Sequence, residues 1–138
     1  MRIPTAFGGG VPHVVIAHLA RELDALIATP FSIESFDGSL LLLEVVDGRA
    51  RLVASRNLGA ALERLDAGCD GVEHGLSEFR DDVAIATRTR WPLDEGAGGR
   101  PTCVVESGVL RVAFRGPESE IRLADLDLGN FGPPRIAG

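Results

Sequence analysis

Lysine and tyrosine are both absent from this chain of 138 residues, and all 14 basic residues are arginine. Without lysine, the chain cannot form a Schiff base with a carbonyl substrate, and it has no phosphate-binding loop of the GxxxxGK type. Without tyrosine, no phenol is available as a general acid or base. The composition therefore excludes several common kinds of catalytic site.

Cysteine is scarce, because Cys69 and Cys103 are the only two in the chain. Two cysteines are too few for a disulfide framework, and these two do not form the CxxC pair typical of zinc or redox sites. We therefore expect both thiols to be reduced, and we expect Cys103 to be buried because it lies in an apolar stretch. Neither a metal nor a cofactor is predicted.

Long apolar runs are also missing, since the sequence contains neither a signal peptide nor a stretch of about 20 apolar residues. This predicts a cytoplasmic protein that does not enter a membrane. The net charge is −6 and the pI is about 5.0. Most of the surface would repel phosphate backbones, so nucleic acid is disfavoured as a partner.

Hydrophobic residues make up 45% of the chain, which is enough to build one core without metal or disulfide cross-links. We predict a single domain over residues 1–138. Within it, residues 1–10 are predicted as a flexible leader, residues 92–100 as a mobile loop and residues 129–138 as a tail. All three segments lack apolar periodicity and contain several glycine or proline residues.

The apolar pattern predicts the α+β class, with an antiparallel sheet or small β-sandwich built from hairpins. An N-terminal amphipathic helix is predicted over residues 12–28, where apolar residues recur at helical spacing. A short helix is predicted over residues 57–66, with Asn57 as its N-cap. These two helices are expected to pack against the sheet.

Hairpin turns are predicted at Asp37-Gly38, Asp47-Gly48 and Ser107-Gly108, each of which lies between apolar runs. Glycine accepts the positive φ that such turns require. The continuous apolar run at residues 40–43 predicts a central strand covered on both faces, by the N-terminal helix on one side and a second sheet on the other.

Two segments in the middle of the chain have different sequence patterns. Residues 67–76 are rich in glycine and polar side chains, which predicts a loop. Residues 82–91 alternate between two sets of side chains, which predicts a half-exposed strand. Residues 102–106 and 109–115 then predict a second hairpin, followed by a short strand near Ile121.

Glu73 and His74 form a distinctive local pair. They lie in the string Ala-Gly-Cys-Asp-Gly-Val-Glu-His-Gly at residues 67–75, which resembles a segment of amidohydrolases in which the histidine binds a metal. Those enzymes are (β/α)₈ barrels with further histidine ligands on distant strands, and a hairpin-rich chain of this length does not accommodate that architecture. Glu73 and His74 remain candidate catalytic residues as a local acid/base pair; a histidine that is merely solvated is the alternative.

Candidate binding residues occur at two further places. His18 and Glu22 share one face of the predicted N-terminal helix, where they would form a surface ion pair, or half of a metal-binding site if Glu73, His74 or Asp70 closed over them. Arg88, Arg90 and Arg111, together with Arg115, are predicted on one exposed sheet face. They would bind a carboxylate or an acidic partner there, or remain solvated and keep the sheet soluble.

Residues 14–65 carry a family resemblance in their order of elements. The segments concerned are residues 18–27, Ser32-Ile33-Glu34-Ser35, residues 40–46, Asp47-Gly48 and Leu52-Val53-Ala54-Ser55. This order resembles the N-terminal β-sandwich domain of formamidopyrimidine-type DNA glycosylases and of NFACT-type ribosome-quality-control proteins. The glycosylases have a catalytic Pro-Glu directly after the initiator and use a lysine, whereas here Arg2-Ile3 follows Met1 and lysine is absent. The resemblance therefore implies a β-sandwich without glycosylase activity.

Three functions are compatible with these patterns. The first is a non-catalytic binding or interaction module, which binds a protein partner or a second copy of itself through an exposed sheet face or an incompletely covered helix face. The second is a small hydrolase or lyase using Glu73 and His74, with or without a metal. The third is a non-catalytic relative of a nucleic-acid-associated β-sandwich domain. We favour the first, because no nucleophile or acid/base set converges in the sequence.

Overall fold

The computed structural model describes the backbone of residues 6–131 and the side chains of residues 11–129. It has the predicted α+β class, and the described residues form three α-helices, three short 3₁₀ helices and two antiparallel sheets. The helices are α1 (Ala6–Asp24), α2 (Gly59–Leu62) and α3 (Asp70–Thr87). The strands are β1 (Phe31–Phe36), β2 (Ser39–Val46), β3 (Arg49–Asn57), β4 (Arg100–Glu106), β5 (Val109–Arg115), β6 (Glu120–Arg122) and β7 (Leu126–Asp127). Across residues 6–131, no helix is long and apolar enough to cross a membrane.

Sheet A consists of β1, β2 and β3 in that order, and both of its turns are confirmed as predicted. Asp37 and Gly38 have φ of 50° and 80°, and Asp47 and Gly48 have φ of 53° and 78°. Positive φ at both central residues is the type I′ geometry, whose twist matches that of paired strands. The two Asp-Gly pairs therefore set the register of the strand residues next to them, and an irregularity between Leu42 and Leu43 shifts the pairing of β2 with β3 by one residue.

Sheet B consists of β4, β5 and β6, with β7 also paired to β5. The turn between β4 and β5 is again type I′, since Ser107 has φ of 53° and Gly108 has φ of 77°. The predicted second hairpin is thus confirmed. Its inward side chains Leu110, Val112 and Phe114 are buried in the core.

The N-terminal helix α1 begins earlier than predicted and ends earlier as well. Its start at Ala6 lies inside the segment predicted as a leader, while residues 1–5 lie outside the described residues, as do residues 132–138 of the predicted tail. Its buried face is the predicted one, because Val15, Ile16, Leu19 and Leu23 are all buried against sheet A.

The predicted loop at residues 67–76 and the predicted strand at residues 82–91 are wrong, because α3 runs through most of both segments. Its buried residues Val72, Leu76, Phe79 and Val83 recur every three or four positions, which is helical spacing. The side chains that alternate in the sequence after Asp82 belong to the last turns of α3 as far as Thr87. They therefore do not form the two faces of a strand. Arg88, with φ of 60°, ends the helix in the left-handed conformation.

The predicted short helix at residues 57–66 is present in two pieces. These are α2 and a 3₁₀ turn at Leu65–Ala67. The prediction of Asn57 as the N-cap is wrong, because Asn57 is the last residue of β3 and Leu58 holds the N-cap position of α2. The Asn57 Oδ1 still accepts a hydrogen bond from the Gly59 N–H at 2.9 Å. Leu62 and Leu65 are buried, so both pieces contribute to the core.

Carboxylates of the two long helices bind backbone amides of one outermost strand in each sheet, β1 and β4. Asp24, at the end of α1, accepts a hydrogen bond from the Ile33 N–H of β1 at 2.8 Å. Glu73 of α3 accepts one from the Cys103 N–H of β4 at 2.7 Å. Since α3 also packs along β3, it joins the two sheets.

Trp91 anchors the segment between α3 and β4. Its ring makes an edge contact with Phe79 at 6.5 Å between centroids and a tilted contact with Phe114 at the same distance. Its indole N–H donates a hydrogen bond to the Leu26 carbonyl at 2.9 Å, so the polar end of a buried side chain is satisfied. Leu93, in the predicted mobile loop, is buried, and the mobility of that loop stays a prediction.

Candidate functional site

His18 and Glu22 lie on one face of α1, as predicted, and both bind the backbone of Ala124. His18 Nε2 donates to the Ala124 carbonyl at 2.7 Å, and Glu22 Oε1 accepts from the Ala124 N–H at 2.8 Å. His18 is 5% exposed. The pair therefore holds the connection between β6 and β7 against α1. The polar atoms that make these hydrogen bonds are already engaged within the fold.

Glu73 and His74 are consecutive on α3, so their side chains leave the helix about 100° apart. Glu73 binds the backbone of Cys103, as described above, whereas the His74 side chain is 75% exposed and its Nε2 lies 3.4 Å from Glu78 Oε2. The two residues do not meet in a cleft, and their catalytic role stays a prediction. Within residues 11–129, no group of three or more histidine, cysteine, aspartate or glutamate side chains is arranged to hold a metal ion.

The predicted arginine face is wrong, because its members lie on two separate surfaces. Arg88 ends α3 and Arg90 follows it in the loop, so neither belongs to a sheet. Arg111 and Arg115 point outward from β5. Arg111 pairs with Glu106 at 2.9 Å and with an aspartate of the β6–β7 connection at 3.4 Å.

The outer face of sheet B holds a shallow hollow of about 280 Å³. Ala113 lies at its centre, between Thr102 on β4 and Arg122 on β6. Arg115 at its margin pairs with Glu120 at 2.8 Å. An incoming carboxylate would therefore compete with existing ion pairs at Arg111 and Arg115.

The outer face of sheet A is the surface of its three strands that points away from α1. The strand register places six apolar side chains on it: Phe36, Leu41, Leu43, Val45, Ala50 and Leu52. Phe36 is 71% exposed and Leu52 is 56% exposed. Glu34 is the single charged side chain that the register places on this face of the described strands.

The prediction that a second sheet covers the other face of β2 is therefore wrong. Leu40 and Leu42 point inward and are fully buried. Leu41 and Leu43 point outward and are only half-buried, and Val45 is exposed. Sheet B instead lies beside α3, so residues 11–129 cover the central strand of sheet A on one face only.

Cys69 and Cys103 lie in contact, although they are 34 residues apart in sequence, and their Sγ atoms are separated by 2.6 Å. Cys69 is half-buried at the start of α3, and Cys103 is buried in β4, as expected. Burial raises the pKa of both thiols. Sequence reasoning missed this pair, and the one available signal was that the chain has no other cysteine.

A further cavity of about 230 Å³ lies between α1, α2 and the end of β4, lined mainly by apolar side chains such as Leu62, Leu65 and Val105. It is smaller than the roughly 300–1,000 Å³ typical of ligand sites. No family model, no curated protein and no solved structure matches this chain. The resemblance over residues 14–65 therefore stays a prediction, and the functional argument depends on the geometry of the chain itself.

Proposed function

We propose that the protein is a non-catalytic interaction module that binds a second copy of itself through the outer face of sheet A. The observation that carries the proposal is the one-sided cover of β2. Its run of four leucines is typical of a strand buried on both faces, yet within the described residues 11–129 only Leu40 and Leu42 of this run are fully buried. A partner would cover Leu41 and Leu43.

The composition of the outer face of sheet A supports a protein partner. Charged residues make up 25% of the chain, whereas this face carries Glu34 alone within its strands. Depletion of charge and enrichment of large apolar side chains distinguish the core of a protein interface from ordinary surface. Phe36 and Leu52 would be the anchoring side chains, because they are the most exposed of the apolar set.

A second copy fits this face because it offers the same apolar, nearly uncharged surface. With a two-fold axis along β2, β1 of each copy lies over β3 of the other. Glu34, which is paired in register with Leu41 and through it with Ser55, would then face a serine. The arrangement avoids opposing two carboxylates, which would destabilise the dimer.

The size of the face sets the expected affinity. Its central strand has eight residues, and strands lie about 4.8 Å apart with a rise of about 3.3 Å per residue. These dimensions give a planar footprint of about 400 Å² per copy, against about 800 Å² per partner in a stable complex. We therefore expect a reversible dimer with a dissociation constant on the order of 10 µM.

Sedimentation velocity over a concentration series tests the proposal. The natural chain should convert from monomer to dimer between about 1 and 200 µM. Leu52→Glu should remain a monomer throughout, because it places a carboxylate within the apolar contact, beside Leu43 of the central strand. Ile85→Glu is the matched control, since Ile85 is 77% exposed on α3 and should leave the dimer unchanged.

A natural chain that stays monomeric over the whole series would contradict the proposal. If Leu52→Glu and Ile85→Glu weakened the dimer equally, the proposal would be contradicted as well. The effect would then follow from the added charge and not from the position of the substitution. Circular dichroism of both variants is needed beside the sedimentation data, to show that each retains the fold.

A further inference from the structure

The two thiols of the chain occupy a position suited to covalent linkage. Their Sγ atoms are 2.6 Å apart, closer than the roughly 3.5 Å of ordinary non-bonded heavy atoms. Cys69 precedes α3 and Cys103 lies within β4. The contact therefore joins two elements that are distant in sequence.

A second contact fixes the same two elements independently. Glu73, one helical turn after Cys69, accepts the Cys103 N–H at 2.7 Å. Cys103 is also held by its pairing with Val112 of β5. Because the start of α3 is bound to the backbone of Cys103 itself, the two sulfur atoms are held together by more than their own contact.

We propose that Cys69 and Cys103 are the site of an intramolecular disulfide, formed in the folded protein by exchange with a small-molecule disulfide. In the first step the Cys69 thiolate attacks one sulfur of the small disulfide, forming a mixed disulfide and releasing one small thiolate. In the second step the Cys103 thiolate attacks Cys69 Sγ, forming the Cys69–Cys103 bond and releasing the second small thiolate. Two protein thiols are oxidised and one small disulfide is reduced to two thiols.

The exposure of the two thiols determines which of them reacts first, and their pKa values determine how fast the exchange proceeds. Cys69 is half-buried and reachable by a small molecule, whereas Cys103 is buried. Burial raises the pKa of Cys69, although the Cys103 thiol partly offsets this, and burial raises the pKa of Cys103 further. The reactive thiolate is therefore scarce at neutral pH, so the exchange should accelerate as pH rises.

The bond would connect the start of α3 to sheet B and close a loop of 34 residues. Such a cross-link restricts the unfolded chain far more than the folded one, because the folded chain already holds the two sulfur atoms together. For a loop and chain of this size, the oxidised protein should melt about 10 °C above the reduced protein. This effect does not depend on the proposed dimer.

The experiment treats the folded chain with oxidised glutathione at about pH 8.5, near the ordinary thiol pKa. Mass spectrometry should show a monomer that has lost two hydrogen atoms, its melting temperature should rise, and dithiothreitol should reverse both changes. Cys69→Ala and Cys103→Ala should show no redox-dependent melting shift. Because Cys69 is half-buried, Cys69→Ala should also keep the fold of the reduced natural chain.

Two outcomes would overturn the proposal. One is a product that carries glutathione on Cys69 without proceeding to the internal bond, since contacting sulfur atoms should complete the second step. The other is an internal bond that forms only in denaturant, because the folded geometry would then oppose it. The intact mass under denaturing conditions distinguishes an internal bond from one between chains. Because the proposed dimer is non-covalent, it does not contribute to this mass, so the two proposals can fail separately.

Discussion

Replacing Glu73 with alanine distinguishes a structural carboxylate from a catalytic one. In the structure, Glu73 Oε2 accepts the Cys103 N–H at 2.7 Å, on the side of β4 where residues 6–131 place no neighbouring strand. Glu73→Ala removes this acceptor without altering the strand. Glu73→Gln keeps a neutral acceptor oxygen in the same place. Comparing the two variants therefore separates the contribution of the Glu73 charge to stability from that of the hydrogen bond.

Hydrogen bonds to charged groups contribute about 1.5–3 kcal/mol to stability, and neutral ones about 0.5–1.5 kcal/mol. Glu73 is half-buried, which favours the lower part of the charged range. We expect Glu73→Ala to lower the free energy of unfolding by about 2 kcal/mol and Glu73→Gln by about 1 kcal/mol. With a urea m-value of about 2 kcal/mol/M, the alanine variant should unfold at about 1 M lower urea.

Urea unfolding followed by circular dichroism, with both thiols kept reduced, measures these differences. Glu63→Ala is the matched control, because Glu63 is exposed and its removal changes the net charge equally. An alanine variant at position 73 that is as stable as the natural chain, or more stable, would refute the reasoning. Carboxylates held in place for catalysis commonly show that behaviour, since their removal relieves strain.

The remaining predictions concern the core and two surface contacts. Phe79→Ala should lower the free energy of unfolding by about 3–5 kcal/mol in urea titration, because Phe79 is fully buried against Trp91. His74→Ala should change it by less than about 0.5 kcal/mol, because the histidine is exposed and makes a single surface contact. The Glu95 carboxylate accepts hydrogen bonds from the Ser119 hydroxyl and from two backbone N–H groups, which lower its pKa. Ser119→Ala should raise that pKa, as followed by NMR titration.

The sign of the Glu95 effect follows from its lowered pKa. The contribution of this carboxylate to stability is present above the unfolded-state pKa and is lost as pH falls through the folded-state pKa. An unchanged Glu95 titration in Ser119→Ala would contradict the role of the hydroxyl. A loss of several kcal/mol in His74→Ala would contradict the view of His74 as a surface residue.

The hairpins could be predicted from the sequence because their signals are local. Asp37-Gly38 and Asp47-Gly48 define their turns through backbone conformation alone, and the adjoining strands follow. The helix α3 could not be recognised in the same way. Its glycines at positions 71 and 75 suggested a loop, whereas Gly75 is buried where an added Cβ would collide with Leu58.

The candidate site was harder to predict because it depends on contacts between distant parts of the chain. A carboxylate such as Glu22 or Glu73 has the same sequence signature whether it meets a substrate or a backbone amide. The leucine run of β2 indicates that both faces should be covered, but it does not say whether the cover comes from the same chain. The contact of Cys69 with Cys103 likewise follows only from the packing of α3 on β4.

The helix carboxylates bound to the outermost strands also limit how copies of this protein can join. Asp24 occupies an amide of β1 that a foreign strand would need, and Glu73 does the same on β4. Arg80 occupies the Gly99 carbonyl just before β4 at 2.7 Å. A strand from another molecule that approaches β1 or β4 therefore meets backbone groups that are already hydrogen-bonded, which opposes the extension of either sheet along these two strands into a fibre.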